Sequence, residues 1–295
     1  MASNTHTALR LLVTAAAAAA AALVTTAAAQ DVTDQGGPEW SYAGDATGPD
    51  NWANLDPRYE ACGGDRQSPI DLAPTSVTGV SSLSRVVNLL PSRFVVNEDK
   101  RNSVHYECDF GRCGNTEWGG IDYTLAQLHF HTQSEHTLNG QPAPMEMHLV
   151  HLSPSGKVLV LAVLWAEGAA NAAIEQLLAA TPNANTTTLT AANWASLTTL
   201  ESGYCVYEGS ATTPDCAQNV VWLVQRQLMT AAAAQIARVR TTFKLVTDFR
   251  GNWRPTQPRN GRPVVCFDAE SGGCSLPMPS PYGPLFRVPA GNSSA

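Results

Sequence analysis

Three histidines at a spacing that suits a metal lie in the stretch Gln127-Leu-His-Phe-His-Thr-Gln-Ser-Glu-His-Thr137 and in Met145-Glu-Met-His-Leu-Val-His-Leu152. On a β-strand, residues two apart project from the same face, so His129 and His131 are predicted to lie side by side. His148 belongs to the second extended stretch. These two stretches decide where the site of this protein is placed.

The segment between the two stretches, Leu138-Asn-Gly-Gln-Pro-Ala-Pro144, predicts a chain reversal because it contains Asn-Gly and two prolines. If the flanking strands pair, His148 is carried beside His129 and His131. Three neutral imidazoles without a cysteine are typical of a zinc site that keeps a fourth position open for water. The pattern therefore favours a catalytic zinc site over a structural one.

Short β-branched stretches separated by turn residues predict a mostly antiparallel sheet from Arg85 onward. These stretches are Val86–Leu90, Phe94–Asn97 and Ser103–Glu107. The continuous apolar run Lys157–Trp165 is suited to the centre of that sheet. Helices are predicted at Asn171–Ala180 and in the Ala/Thr-rich stretch to about Leu200. Trp222–Arg240 is predicted to begin as a strand and to continue as a helix.

The two ends of the chain differ in composition from its body. Residues 1–29, with Arg10 before an alanine-rich apolar run, predict a cleaved signal peptide, with a poor membrane anchor or a transit peptide as alternatives. Residues 30–66 predict an irregular arm packed on the core. No repeat or linker divides the body, so residues 30–268 are predicted to form one domain. The Pro/Gly/Ser-rich residues 269–295 predict a tail.

The charge and cysteine content limit partners and compartment. The formal net charge is −7 and the positive charges form no basic run, which argues against nucleic acid as a partner. Seven cysteines indicate a secreted or other oxidising extracytoplasmic location. After signal cleavage, no stable membrane insertion is expected.

Several pairings of these cysteines are open from the sequence alone. The pairs close enough in sequence for local loops are Cys108 with Cys113 and Cys266 with Cys274. Cys62 and Cys216 are candidates for a long-range disulfide, which leaves Cys205 over. The alternative is a set of free buried thiols.

Six motifs in this chain resemble the alpha-class carbonic anhydrase family, and they occur in that family's order across residues 38–268. They are Gln67-Ser-Pro-Ile-Asp71, Gln127-Leu-His-Phe-His131, Ser134-Glu-His-Thr137, Glu146-Met-His-Leu-Val-His151, Gly209-Ser-Ala-Thr-Thr-Pro214 and Asn252-Trp-Arg-Pro-Thr-Gln-Pro258. The resemblance implies a mainly β single domain with a large twisted, mostly antiparallel central sheet and a few short peripheral helices. It also implies reversible hydration of carbon dioxide to bicarbonate and a proton by zinc-bound hydroxide.

The resemblance assigns roles to the histidine block. The implied zinc ligands are His129, His131 and His148. A metal-bound histidine needs an acceptor on its other ring nitrogen, which fixes its tautomer and orientation. Gln127 and Glu146 are expected to be two such acceptors, and the backbone carbonyl of Asn252 the third. His136 and His151 match family positions that hold the structure through hydrogen bonds.

The implied catalytic pair is Thr212 with Glu135. A threonine hydroxyl can accept one hydrogen bond and donate another, so Thr212 is expected to accept from the hydroxide and donate to Glu135. This arrangement orients the hydroxide and disfavours ligands that have no proton to donate. Thr213 is expected to contact bicarbonate.

The implied substrate wall is apolar, as a small apolar substrate requires. The residues at matching wall positions are Val150, Val160 and Trp222. Ala211 occupies a position where the family generally has a larger leucine. The hypothesis is that this widens the pocket and favours bulkier esters or inhibitors.

The implied proton route is incomplete. Aligning Ser103 and Val104 with the family places Asn102 where the fastest members have a shuttle histidine, and asparagine does not titrate. His105 is a weak candidate for the shuttle, because strand alternation turns it to the opposite face from Asn102.

The resemblance also bears on disulfides and on alternative functions. Cys62 and Cys216 match a disulfide common in secreted members, where it would brace the Thr212 loop against the N-terminal arm. Two other classes compete with the anhydrase: a binding or matrix protein that has lost catalysis, and a zinc hydrolase acting mainly on esters. Zinc content tests the first, and relative rates with carbon dioxide and an activated ester test the second.

Overall fold

The structure is a computed structural model that describes residues 39–44, 46–72, 77–80, 87–98, 103–109, 111–180, 186–199, 203–244 and 251–268. The predicted signal peptide, the whole of the predicted tail, Asn102 and Cys274 lie outside these residues. In the part of the chain described, no helix combines the length and apolar character needed to cross a membrane.

Strands dominate the described residues. They are β1 Asp71–Leu72, β2 Val77–Val80, β3 Val87–Leu89, β4 Ser92–Glu98, β5 Val104–Cys108, β6 Gly114–Trp118, β7 Ile121–His131, β8 Thr137–Leu138, β9 Gln141–Pro142, β10 Met145–Leu152, β11 Val158–Glu167, β12 Thr186–Leu189, β13 Tyr204–Gly209, β14 Val220–Gln225, β15 Met229–Ala231 and β16 Val265–Asp268. The helices are α1 Trp52–Leu55, α2 Ala172–Ala179, α3 Ala191–Leu197 and α4 Ala233–Lys244, with 3₁₀-helices at Pro49–Asn51 and Pro57–Gly63.

One large sheet runs in the order β12-β4-β5-β7-β10-β11-β14-β13-β16-β2, with β3, β6 and β15 joined to its members. Most neighbours are antiparallel, as predicted, but β11 pairs with β14 and β16 pairs with β2 in parallel. The stretch predicted to be helical up to Leu200 contains a strand, β12 (Thr186–Leu189), because its three consecutive threonines have branched side chains that favour extended backbone.

The predicted reversal between β7 and β10 is confirmed. Asn139 and Gly140 both have positive φ, 54° and 74°, as the two central residues of a tight hairpin turn require. This turn joins β8 to β9, and β10 then returns antiparallel to β7. The register places His148 directly opposite His129.

Side chains on the central strands alternate between two buried layers. On β11, Leu161 and Val163 face one apolar cluster while Ala162 and Leu164 face another, so the apolar run predicted for the sheet centre is buried on both sides. Helices α2 and α3 cover the first cluster with Ile174, Leu177 and Trp194. His129 and His131 on β7 and His148 on β10 alternate with residues of that cluster, and they therefore project from the opposite face of the sheet.

The N-terminal arm packs as a third cluster built around Trp52. The indole of Trp40 meets that of Trp52 edge-on, with ring centroids 5.3 Å apart. The expectation of an irregular arm is wrong for residues 49–63, which form short helices. Asp56 begins the second 3₁₀-helix because its carboxylate accepts the N–H of Arg58 at 2.9 Å.

Three disulfides join described cysteines: Cys62 with Cys216, Cys108 with Cys113, and Cys205 with Cys266. The first two agree with the predicted pairs. The third overturns the pairing of Cys266 with Cys274, the expectation that Cys205 is left over, and the alternative of free thiols at these positions. The reason is the sheet register, because β13 and β16 place Cys205 directly opposite Cys266.

Candidate metal centre

His129, His131 and His148 converge on the face of the sheet opposite the helices. Their ring centroids are 4.5 to 5.1 Å apart, and one ligand nitrogen from each lies within 4.8 Å of the others. All three side chains are buried. Strand β7 supplies two of them through its two-residue repeat, and the register with β10 supplies the third.

Hydrogen bonds fix the outer nitrogens of the first two rings. Nδ1–H of His129 donates to Oε1 of Gln127 at 2.8 Å. Nδ1–H of His131 donates to the carbonyl oxygen of Asn252 at 2.5 Å. The inner nitrogens are then the unprotonated ones, and Nε2 of His131 is buried without a hydrogen-bond partner. A buried, unpartnered acceptor directed at two other imidazoles fits a metal ion.

Glu146 fixes the third ring. Its Oε1 accepts from Nε2 of His148 at 2.8 Å and from Nδ1 of His136 at 2.6 Å. Its Oε2 accepts the backbone N–H groups of Glu135 and His136, both at 2.8 Å. Burial raises the pKa of Glu146, but the two imidazoles outweigh burial and hold that pKa well below its usual range. Glu146 is therefore a carboxylate with four donors around it.

The group His136, Glu146 and His148 also has the spacing of metal ligands. Hydrogen bonds between these side chains already account for that spacing. Nε2 of His136 lies 2.7 Å from the hydroxyl of Tyr207, so both of its ring nitrogens are occupied. His136 and Glu146 are therefore the outer support of His148, which itself belongs to the three-histidine centre.

The three histidines are neutral at physiological pH. Burial lowers the pKa of His129 well below its usual value, and their mutual repulsion lowers it further. Burial lowers the pKa of His131 to about 4, against the opposing effect of its hydrogen bond to Asn252. The pKa of His148 is lowered mainly by burial as well. Neutral imidazole is the form that binds a metal.

Glu135 lies beside this centre with its two oxygens in different surroundings. Oε1 accepts the backbone N–H of Arg254 at 2.9 Å and lies 3.6 Å from Nδ1 of His131. Oε2 has no hydrogen bond of good geometry, although the side chain of Thr212 approaches the carboxyl group closely enough to lower its pKa. Burial outweighs that effect and raises the pKa of Glu135 to about 7.

Three apolar residues line the same face on neighbouring strands. Val160 pairs with Val150 across β10 and β11, and with Trp222 across β11 and β14. The ring of Trp222 lies 4.9 Å from that of His148, centroid to centroid. Ala211 is half-buried on the loop that follows β13, as is Thr213. The structure thus brings the predicted wall positions beside the histidines.

His105 also lies against this centre, which the sequence did not anticipate. Its ring centroid is 5.1 Å from that of His129, its side chain is 8% exposed, and its Nε2 has no partner. The pairing of Tyr106 with Leu128 is the register that aligns the two histidines. Its relation to Asn102 lies outside the described residues. Knowing that β5 pairs with β7 would have revealed this contact.

A buried hydrogen-bond chain that the sequence did not assign extends from His136. The hydroxyl of Tyr207 donates to Oγ of Ser68 at 3.0 Å, and the same Oγ accepts the N–H of Ser210 at 3.0 Å. The chain therefore connects the support of His148 to the loop that carries Thr212. Its members are far apart in sequence, so only the motifs around Ser68 and Ser210 pointed to them.

His151 has a structural environment. Its Nδ1–H donates to the carbonyl of Leu149 at 2.9 Å, and its Nε2 lies 3.2 Å from Oγ1 of Thr116. It is fully buried. These contacts agree with the hydrogen-bonding role implied for this position.

The fold and the site together define a class: a mainly β protein with a buried three-histidine group able to hold a metal ion. The chain matches the sequence profile of the eukaryotic-type carbonic anhydrases over residues 47–267. It belongs to the eukaryotic-type carbonic anhydrase family.

Similar proteins include some named as carbonic anhydrases and one named as a dioscorin. Alpha carbonic anhydrase 7 of Arabidopsis thaliana is 33% identical over 229 residues, which cover 76% of this chain and 82% of that protein. Dioscorin dioA3 of Dioscorea japonica is 33% identical over 239 residues, covering 78% and 86%. The alpha-carbonic anhydrase of Thermovibrio ammonificans, solved with the inhibitor sulfanilamide, has a TM-score of 0.66 and 30% identity, covering 78% of this chain and 100% of that one.

Proposed function

We propose that this protein is a zinc-dependent carbonic anhydrase that reversibly hydrates carbon dioxide to bicarbonate and a proton. The observation that carries the proposal is the hydrogen bonding of the three imidazole rings. Each outer nitrogen of His129, His131 and His148 donates to an acceptor, and each inner nitrogen is left to bind a metal. Three imidazoles supported in this way suit zinc.

Zinc held by these three histidines would supply hydroxide near neutral pH, as is known for this enzyme family. Oγ1 of Thr212 is proposed to accept a hydrogen bond from the O–H of the nucleophile. The hydroxyl of Thr212 is proposed to donate its own hydrogen bond to Oε2 of Glu135. Two features support this role. Oε2 is the carboxyl oxygen that lacks another partner, and Oε1 is already occupied by the N–H of Arg254.

The substrate is proposed to lie against Val150, Val160 and Trp222. A wall of this kind gives carbon dioxide an apolar contact without competing hydrogen bonds. Thr213, half-buried beside Thr212, is proposed to contact bicarbonate. The small side chain of Ala211 is proposed to leave room for bulkier esters or inhibitors.

The proposed location is a secreted or other oxidising extracytoplasmic compartment. Three disulfides among the described cysteines support it, because disulfides persist where the surroundings are oxidising. The proposed partners are the small molecules carbon dioxide and bicarbonate. Nucleic acid is not proposed as a partner. The cleavage of residues 1–29 as a signal peptide stays a prediction.

The deciding experiment compares carbon dioxide hydration by the zinc-reconstituted protein and by its His148→Ala variant. The wild type should contain one zinc per chain and be active, and the variant should lose zinc and activity together. Equal rates in both would overturn the proposal. A protein that binds zinc without turnover would instead be a binding protein. A preference for an activated ester would indicate a hydrolase.

A further inference from the structure

Arg254 is a buried cation held by neutral groups. Its side chain is 1% exposed, and no carboxylate lies within ion-pair distance of it among the described residues. Its guanidinium donates to Oε1 of Gln67 at 2.7 Å and to the carbonyl oxygens of Ser68 and Cys62 at 2.9 and 3.0 Å. Its Cζ lies 5.3 Å from the ring centroid of Trp52. Burying a charge without a charged partner costs free energy, so we expect Arg254 to have a role beyond packing.

The backbone of the same segment contacts the candidate metal centre. The N–H of Arg254 donates to Oε1 of Glu135 at 2.9 Å. Two residues earlier, the carbonyl of Asn252 accepts Nδ1–H of His131. The side chain of Asn252 also accepts the N–H of Thr132 at 3.0 Å. A shift of residues 252–254 would therefore move the support of both groups.

The head group of Arg254 is also linked to the loop of Thr212. Oε1 of Gln67, which accepts from Arg254, also lies 3.3 Å from Oγ of Ser210, whose hydroxyl donates at 2.7 Å to the carbonyl of Ala211. Nε2 of the same glutamine donates to the carbonyl of Cys216 at 3.3 Å. Ser210 and Cys216 lie on either side of Thr212 in the chain. One glutamine thus connects the guanidinium to both ends of that loop.

We propose that Arg254 is a positioning residue that sets the separation of Glu135 and Thr212. Its backbone N–H holds the carboxylate, and its guanidinium holds the threonine loop through Gln67. The inference rests on the proposed function, in which Thr212 orients the nucleophile and disfavours ligands without a proton. Loss of the guanidinium should relax that discrimination as well as slow the reaction.

Arg262 offers a matched control. It is also buried, its Cζ lies 5.8 Å from the ring centroid of Tyr207, and its guanidinium donates to the carbonyl oxygens of Glu208 and Gln67 at 3.1 and 2.7 Å. Its backbone N–H donates to Arg259 and has no contact with Glu135. Arg262 contacts Gln67 only at its backbone carbonyl, so replacing Arg262 removes a buried arginine while the bonds of Arg254 to the Gln67 side chain and to Glu135 stay in place.

The experiment uses the full chain, zinc-loaded for kinetics and cobalt-substituted for visible absorption. Arg254→Met should lower kcat/KM for carbon dioxide at least tenfold, while Arg262→Met stays within twofold of the wild type after correction for zinc content. Thiocyanate, an anion without a proton, should bind several-fold more tightly to cobalt-substituted Arg254→Met than to the other two proteins. Arg254→Lys and Arg262→Lys keep the charge and provide the same comparison if a methionine variant does not fold.

The two proposals fail separately. Equal kinetics and equal thiocyanate affinity in the Arg254 and Arg262 variants, with an active wild type, would overturn the positioning role. A wild type that does not hydrate carbon dioxide would overturn the proposed function. The thiocyanate comparison, which needs no turnover, would still decide whether Arg254 controls the ligand position.

Discussion

Glu146 holds His148 in the tautomer that leaves Nδ1 free for a metal, because Nε2–H donates to Oε1 of Glu146 at 2.8 Å. The same carboxylate accepts three further hydrogen bonds, from Nδ1 of His136 and from the backbone N–H groups of Glu135 and His136. One side chain thus joins a ligand of the candidate centre to the segment that carries Glu135.

Replacing Glu146 with glutamine should weaken zinc binding about 10- to 100-fold. An amide nitrogen cannot accept from the donors around this position, so the orientation of His148 is lost. Zinc affinity is measured by competition with a chelator. Glu208→Gln, which changes a carboxylate near the exposed Arg66, is the control and should bind zinc as the wild type does. An unchanged affinity in Glu146→Gln would contradict the assigned support.

His105→Ala should leave turnover in weak buffer within about twofold of the wild type. A proton shuttle must exchange with solvent, and His105 is 8% exposed with its ring packed on His129. Carbon dioxide hydration is measured in low buffer with and without imidazole. A large loss that imidazole restores would show that His105 does carry protons.

Ala211→Leu should slow hydrolysis of bulky activated esters several-fold while carbon dioxide hydration stays within about twofold. Ala211 follows Ser210, whose carbonyl accepts Nε1–H of Trp222 at 3.0 Å, so a larger side chain there adds volume next to the apolar wall. The ratio of the two rates is measured for each protein, and carbon dioxide serves as the internal control. Unchanged ester hydrolysis would refute the wider pocket.

Removing the disulfide between Cys205 and Cys266 should lower the free energy of unfolding by about 4 kcal/mol, since it closes a loop of 61 residues. The Cys108–Cys113 pair, separated by 5 residues, should contribute about 2 kcal/mol on the same basis. Paired cysteine-to-alanine variants are compared by denaturant unfolding. The loop-length explanation fails if the two losses are equal.

Stability of the metal-free protein should fall as the pH drops from about 6.5 to about 4. Burial lowers the pKa of His151 to about 4, so in this window the unfolded chain binds a proton that the folded chain does not. Each such histidine adds up to about 1.4 kcal/mol per pH unit to the slope. His151→Phe should therefore have a slope shallower by about 1 kcal/mol per pH unit, measured by urea unfolding. An unchanged slope would show that His151 does not contribute.

Patterns among neighbouring residues predicted the parts of the fold that depend on short-range interactions. The two-residue repeat of His129 and His131 and the Asn139-Gly140 turn predicted the strands and the hairpin that carry the histidines. Features that depend on long-range pairing were missed. The parallel contact of β11 with β14 and the bond between Cys205 and Cys266 both require knowing which distant strands are neighbours.

The surroundings of the site show the same division. Gln127 and Glu146 lie two residues from the histidines that they support, and the strand repeat was enough to place them. Arg254 and Gln67 act through contacts across more than 180 residues of sequence, and a single chain has no local pattern that reveals such contacts. His105 falls between these cases, because its place against His129 depends on one strand register.

The hairpin of β7 and β10 suggests an order in which the parts of the site form during folding. His129 and His148 are 19 residues apart, and joining them requires closing a short loop, whereas the contact of His131 with Asn252 spans 121 residues. Contacts of short sequence separation tend to form before distant ones. A nascent chain that has formed only this hairpin already brings together the three imidazoles and Glu135, but it lacks Asn252 and Thr212, so we expect a metal ion to be able to bind before the site is complete.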